Sequence, residues 1–309
     1  MGDTTLGGAA RRVFAPAEVR DLAHARRDAR RRRSWQEADE LLARIEAAGW
    51  KVVDRGTDFA LEPLVPPDVV VDGLRLHGGS ASVPSLLDEP AAFRRCVVVV
   101  DAAAGDGRPR PALPAGTVLV VGGTTDAEPP SGGELIRLLP ATSGAGLVTG
   151  GLRRAVGEVI VLAWAPTPLP EPLLDELEAA LEDPSVGCAG TIGVRTSDLR
   201  DLEPVTHGEA DVLLAGAIAF RRADLVARLP VDERIGSSDR VAAWLSLRLR
   251  EPEDPWAGGT FRRALVVGGD EGTVAARIGE LAADRSARRD HYRLLDRFGR
   301  SADLLRGPR

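Results

Sequence analysis

Two aspartates stand where a buried run gives way to a polar turn: Asp101 closes RCVVVVD before AAAGDG, and Asp126 follows TVLVVGG in GGTTDA. At the carboxyl ends of parallel strands such carboxylates would line a ligand pocket. Aspartate also suits any turn, so the plainer reading stays open. Gly144, Gly146, Gly150 and Gly151 could present backbone N–H groups as a phosphate nest, although they match no known phosphate-loop motif. A basic cluster, Arg26, Arg27, Arg30, Arg31, Arg32 and Arg33, could grip RNA phosphates or an acidic protein, or form a solvated face. Cys96 and Cys188 sit in separate apolar runs, and the four histidines are scattered. Neither a disulfide framework nor a zinc site follows, and two buried thiols in a reducing compartment are expected. No cofactor is expected.

The 309 residues are 44% hydrophobic and 28% charged, enough for one large domain or two ordinary ones with real cores. Of 40 basic residues only Lys51 is a lysine, and the formal net charge is -6. That balance excludes a generally basic nucleic-acid coat, so any RNA contact must be local. The best apolar run, VIVLAWAP at 159–166, is too short to cross a bilayer. With no signal-like apolar core near residue 1, the expectation is a cytoplasmic protein without a membrane span.

These residues need elements to position them. Residues 1–15 read as a flexible N-terminus. Residues 16–63 read as two helices and a short hairpin: the first helix ends in the arginine run, where its dipole favours cations. Ser34 and Glu37 have the spacing of a capping box, Trp35, Ala38, Leu41, Leu42, Ile45 and Ala48 share one apolar face, and Gly49 stops the second helix. A hairpin then turns at Arg55 and Gly56. After the prolines of LVPPD, residues 69–309 alternate β-branched runs with helical patterns, which indicates an α/β domain with a largely parallel sheet. PLPEPLLDELEAALEDPSVG is its clearest amphipathic helix.

The stretch DLAHARRDARRRRSWQEADELLARIEAAGWKVVDRGTDFALEP resembles the C-terminal helical segment of bacterial cysteinyl-tRNA synthetases. That resemblance implies a tRNA or protein partner for the hairpin, but not aminoacylation, because the HIGH and KMSKS sequences and the zinc ligands of that family are missing. The blocks GGLRRAVGEVIVLAWAPTPLPEPLLDELEAALEDPSVGCAG, ADVLLAGAIAFRRADL and LPVDERIGSSDRVAAWLSLRLRE resemble family-2-type glycosyltransferases. The resemblance implies a GT-A-like nucleotide-diphospho-sugar transferase fold over roughly residues 90–300, a nucleotide sugar as ligand, and Gly216 on the acceptor side. Asp101, Asp126 and Arg153 then become the nucleotide-binding candidates.

The departures from that family lie at its chemistry. Its Asp-x-Asp, which holds a divalent metal on the diphosphate, falls on Trp164 and Pro166, and neither can ligate a metal. The general base expected on the following helix falls on Val241 and Ala242. Asp239 could serve only if that helix starts a turn earlier. Val267, Gly268 and Gly269 stand where a late histidine belongs. The sequence therefore reads as a divergent, non-catalytic binding or regulatory module, in effect a pseudoenzyme. One alternative is a metal-independent transferase that offsets phosphate charge with Arg108, Arg110, Arg153 or Arg154. The other is a tRNA- or ribosome-associated factor working through the basic helix.

Overall fold

The structure, a computed structural model, describes residues 14–55, 58–102, 111–226, 228, 231–252, 260–283, 287–299 and 304–305. The expected flexible stretch 1–15 falls almost wholly outside them. The chain divides into two compact units between Ser82 and Val83.

In the first unit α1 (Ala17–Arg31) buries Val19, Ala23 and Ala29, and ends where Arg33 takes a left-handed φ of 62°. Helix α2 (Trp35–Ala47) buries Ala38, Leu41 and Ile45 and stops at Gly49, φ 79°. The capping box does not form. Ser34 sits at the N-cap without a side-chain bond, and Glu37 takes Arg32 instead, both its oxygens 3.1 Å from Nη2. A charge-assisted pair outcompetes the neutral cap. Trp35 also leaves the expected apolar face and is 58% exposed, because the first helical position points it outward.

Strands β1 (Trp50–Arg55) and β2 (Asp58–Pro63) pair antiparallel, with Lys51 opposite Glu62 and Arg55 opposite Asp58; Gly56 lies outside the described residues. Strands β3 (Val69–Val71) and β4 (Leu74–Leu76) form a second hairpin, turning through Asp72 and Gly73, both at positive φ as a two-residue turn demands. The sequence reading gave this segment to the α/β domain, yet it lies in the first unit. Pro66 and Pro67 do not release it, because Asp68 Oδ1 accepts Gly78 N at 2.9 Å and Oδ2 accepts Arg75 Nη2 at 2.7 Å. Burial alone would raise the Asp68 carboxyl, but the bonds from Gly78, Arg75 and Ser82 outweigh it and hold it at about 2.

The second unit is an α/β body whose central sheet is largely parallel, as expected, with two strands reversed. Its central strands are β5 (Phe93–Asp101), β6 (Val118–Gly122), β7 (Glu134–Leu138), β8 (Gly157–Trp164), β9 (Val186–Gly190), β14 (Ala217–Arg221) and β15 (Arg263–Val266), with β12 (Gly208–Ala210) at one edge. The order is β12-β15-β9-β14-β8-β5-β6-β7. Strands β14 and β12 run against their neighbours, and the others are parallel. Small strands β10 (Gly193–Arg195), β11 (Glu203–Val205) and β13 (Val212–Leu213) make a separate sheet.

Helices α3 (Gly144–Leu152) and α6 (Ser238–Arg250) share the larger core with one face of the central sheet, and α4 (Glu171–Ala180) packs through Leu174 and Leu177 on the other. The short α5 (Arg222–Val226) follows β14, while α7 (Glu271–Ala283) and α8 (Ala287–Phe298) share a further core with α6. Cys96 and Cys188 are buried free thiols, as expected, and burial pushes the Cys188 thiol up to about 12.

Candidate functional site

From β5 the chain steps outward to β6 and β7, then returns past β5 to β8. The carboxyl ends of β5 and β8 therefore flank a topological switch point, the place where open α/β sheets take ligands. Asp101, Val121 and Arg137 lie in register there on three adjacent strands. Val97, Val99, Leu119, Val121 and Leu135 all pack on the α4 face, so strand alternation turns Asp101 and Arg137 to that same face. Their backbones stand about 10 Å apart at ~4.8 Å per strand. Arg137 Nη2 donates to Ala127 O at 2.8 Å, while its buried Nε has no partner among the described residues.

The sequence reading missed Arg137. Only strand register brings it to Asp101, 36 residues away in the chain. Asp126, by contrast, is an exposed turn residue beside Thr125, whose Oγ1 accepts Ala127 N at 3.2 Å.

Trp164 ends β8 on the opposite face and is 4% exposed, in one core with Ala145, Val148, Val241 and Ala242. A cis peptide leads into Pro166. Indole and pyrrolidine rings offer no metal ligand, and among the described residues no group of three or more His, Cys, Asp or Glu side chains could hold a cation. The divalent metal that the family resemblance implies does not fit these residues.

Trp164 N donates to Gly216 O at 3.0 Å, which brings the start of β14 against the end of β8. A Cβ on Gly216 would lie 2.6 Å from Thr191 Oγ1, so close packing requires this glycine. One residue earlier, Ala215 N donates to Asp239 Oδ1 at 2.9 Å. Helix α6 starts at Ser238, early enough to place Asp239 in its first turn. Burial raises the Asp239 carboxyl above its ordinary range, opposed by Arg277, whose Nε is 3.8 Å away. Val241 and Ala242 are core residues.

The glycine-rich segment is a packing device, not a phosphate nest. Gly151 sits over Val98 and Val120, Gly150 over Leu138, and Gly144 against Gly236 O. Two of the N–H groups at the start of α3 are taken as well: Gly146 N donates to Ser143 Oγ at 3.0 Å and Ala145 N to Ile235 O at 3.1 Å. Arg153 does not join Asp101 either. It follows α3 at the other end of the sheet, donating to Val83 O at 2.7 Å, while Arg154 pairs with Glu134 at 2.9 Å. Phe93 pairs with Gly157 at that end, and Asp101 lies eight residues further along β5, about 26 Å at ~3.3 Å per residue. Arg108 and Arg110 lie outside the described residues.

A cavity of about 1000 Å³ opens at this amino-terminal end, between α4 and the starts of β5 and β6. Its charged groups are already matched. Arg95 holds Glu171, Asp175 and Glu178, and Arg94 holds Glu178. It is therefore a weaker site candidate than the switch point.

In the first unit the arginines mostly bind their own fold. Arg26 Nη1 donates to Asp54 Oδ1 at 3.0 Å, and Arg30 pairs with the other oxygen. These two guanidinium groups hold the Asp54 carboxyl below its usual range, the Arg26 bond contributing most. Arg27 lies over the Phe59 ring at 5.9 Å, Arg31 faces Asp28 at 3.8 Å, and Arg32 takes Glu37. Arg33 is exposed at the α1–α2 turn.

No protein-family model matches the chain, and no curated protein matches it. Among solved structures, mannosyltransferase PcManGT from Pyrobaculum calidifontis in complex with GDP-Man and Mn2+ is similar over 68% of each chain, at 17% identity and a TM-score of 0.41.

Proposed function

We propose that the second unit is a glycosyltransferase-like module of GT-A type that takes a nucleotide or nucleotide sugar along the carboxyl edge of its sheet without a divalent metal, as a binding or regulatory domain. The observation that carries this reading is Trp164. A large apolar side chain buried where the resembling family needs a carboxylate removes the metal ligand and the need for a counter-ion together. Asp101 and Arg137 are the polar groups we assign to the nucleotide.

Calorimetry with a panel of nucleotide sugars, with and without Mn2+, tests the proposal. Binding that Mn2+ leaves unchanged is expected. Binding that needs Mn2+ at micromolar affinity or tighter overturns it.

A metal-independent transferase is the second reading, favoured by Asp239: a buried carboxylate with a raised pKa beside the end of β8 is suited to accept a proton from an acceptor hydroxyl. We assign the hairpin of residues 16–63 to docking a protein partner in preference to tRNA, because its arginines are largely committed to Asp54, Glu37, Asp28 and Phe59.

A further inference from the structure

Helix α6 has no side-chain cap of its own at Ser237. The cap comes from α8: Asp290, 4% exposed, accepts Gly236 N and Ser237 N at 2.9 Å each through one oxygen. The stretch held in this way also seals the start of α3, because Glu233 O accepts Ser143 Oγ at 2.6 Å and Ile235 O accepts Ala145 N at 3.1 Å. In the first turn of α6, Asp239 holds Ala215 against the end of β8. The Asp290 carboxylate thus ties α8 to the starts of two other helices and to the carboxyl edge of the sheet.

The next residue is His291. Both its ring nitrogens are shut off from solvent, and neither has a hydrogen-bond partner among the described residues. Arg240 on α6 and Arg200 in the 196–201 turn lie within electrostatic range, together with one carboxylate, Asp198. On its own helix the Tyr292 ring stands 5.9 Å away. Asp198 Oδ1 is already engaged, accepting Arg200 N at 2.8 Å and Asp201 N at 3.0 Å. A proton on His291 would therefore add a third cation beside Arg240 and Arg200, on a half-buried ring whose nitrogens are shut off from solvent, and exposing the ring further is the way to relieve it.

We propose that α8 is an acid-sensitive latch: neutral His291 keeps it docked, and protonation releases α8 and with it the Asp290 cap on the 236–237 turn. The direction of the imidazole pKa agrees, lowered first by burial and then by Arg240 and Arg200, with Asp198 opposing. The latch is therefore fully held above the ordinary histidine value of about 6.5 and loses its hold as pH falls below it. Asp239 titrates with the opposite sign: its raised pKa makes the folded state favour its protonated form, so acid tightens the fold at that residue.

Hydrogen exchange on the full chain, corrected for the intrinsic pH dependence of exchange, tests this without any ligand. Between about pH 7.5 and about pH 5.5, opening of residues 287–299 and 236–240 should rise several-fold in the native protein, towards the ceiling of about tenfold set by an imidazole that takes its proton at about 6.5 once released, and stay flat in His291→Phe. No rise, or the same rise in His291→Phe, overturns the latch. Should that variant fail to fold, the His291 ring resonance of the native protein decides: titration below the ordinary imidazole value is expected, and titration at or above it refutes the proposal.

Discussion

Replacing Gly151 with alanine sets two opposing quantities against each other. Alanine is favoured over glycine inside a helix by roughly 0.8–1.0 kcal/mol. At Gly151 of α3, however, the new Cβ would lie 2.6 Å from Val98 Cγ1 and 2.7 Å from Val120 Cγ2, where carbon pairs prefer about 3.5–4.0 Å. Both valines are fully buried in strands, and β-branching leaves them few rotamers to retreat into. Overpacking of this kind costs about 1–3 kcal/mol, and two stiff neighbours place it in the upper half. The expected outcome is a net loss of about 1–2 kcal/mol. Gly279 of α7 supplies the control, since a Cβ there meets nothing within 4 Å. Gly279→Ala should gain about 0.5–1 kcal/mol. Parallel urea denaturation, followed by linear extrapolation, reads both variants. Adding Val120→Ala to Gly151→Ala should show a coupling of at least about 0.5 kcal/mol. If Gly151→Ala stabilises as much as Gly279→Ala, α3 does not lie this close to the sheet, and its glycines regain a ligand role.

Trp164→Ala should cost about 3–5 kcal/mol in the same assay, and an unchanged midpoint would mean that the end of β8 is open. Asp54→Asn should lower first-unit stability by about 0.5–1 kcal/mol, less in high salt, as for a partly exposed ion pair. The lowered Asp54 pKa makes this contribution present above the ordinary carboxylate range and lost as pH falls through it, so the variant should show a weaker acid response by circular dichroism. Bulk tRNA should give no gel shift at tens of micromolar protein; a shift whose log–log salt slope is about -0.7 per contact, and flattens when Arg30 to Arg33 become Gln, would restore the RNA reading.

What the sequence revealed follows the range of the forces involved. The α1–α2 hairpin, the buried strands and the α4 helix were legible because apolar periodicity and Gly49 act within a few residues. In α4 the spacing of four points to Leu173, Leu177 and Leu181; Leu177 and Leu181 are buried, but Leu174 takes the place of Leu173, which is only partly buried. Strand direction was not legible. Nothing local in AIAFR distinguishes the antiparallel β14 from its neighbours, and β12, β11 and β15 are too short to show a period. The edge of the sheet was half legible: Asp101 stood out at the end of a valine run, whereas Arg137 joins it only through register. The glycines of α3 misled because the same permissive backbone serves a phosphate or a close helix–sheet contact, and Val98 and Val120 decide between them from elsewhere in the chain. Arg153 misled because α3 carries it to the far end of the sheet.

The scarcity of lysine has a practical consequence. Lys51, the one side-chain amine of the protein, lies on β1 with 46% of its side chain exposed and a single partner, Glu62, at 3.1 Å. Acylating it removes an exposed ion pair worth about 0–1 kcal/mol and leaves the strand pairing intact. Beside the α-amine of the chain, an amine-reactive dye would thus meet one side chain, on β1 of the first unit, while the 39 arginines escape the reagent. Unfolding of the small unit could then be followed by its own emission, apart from the larger α/β body.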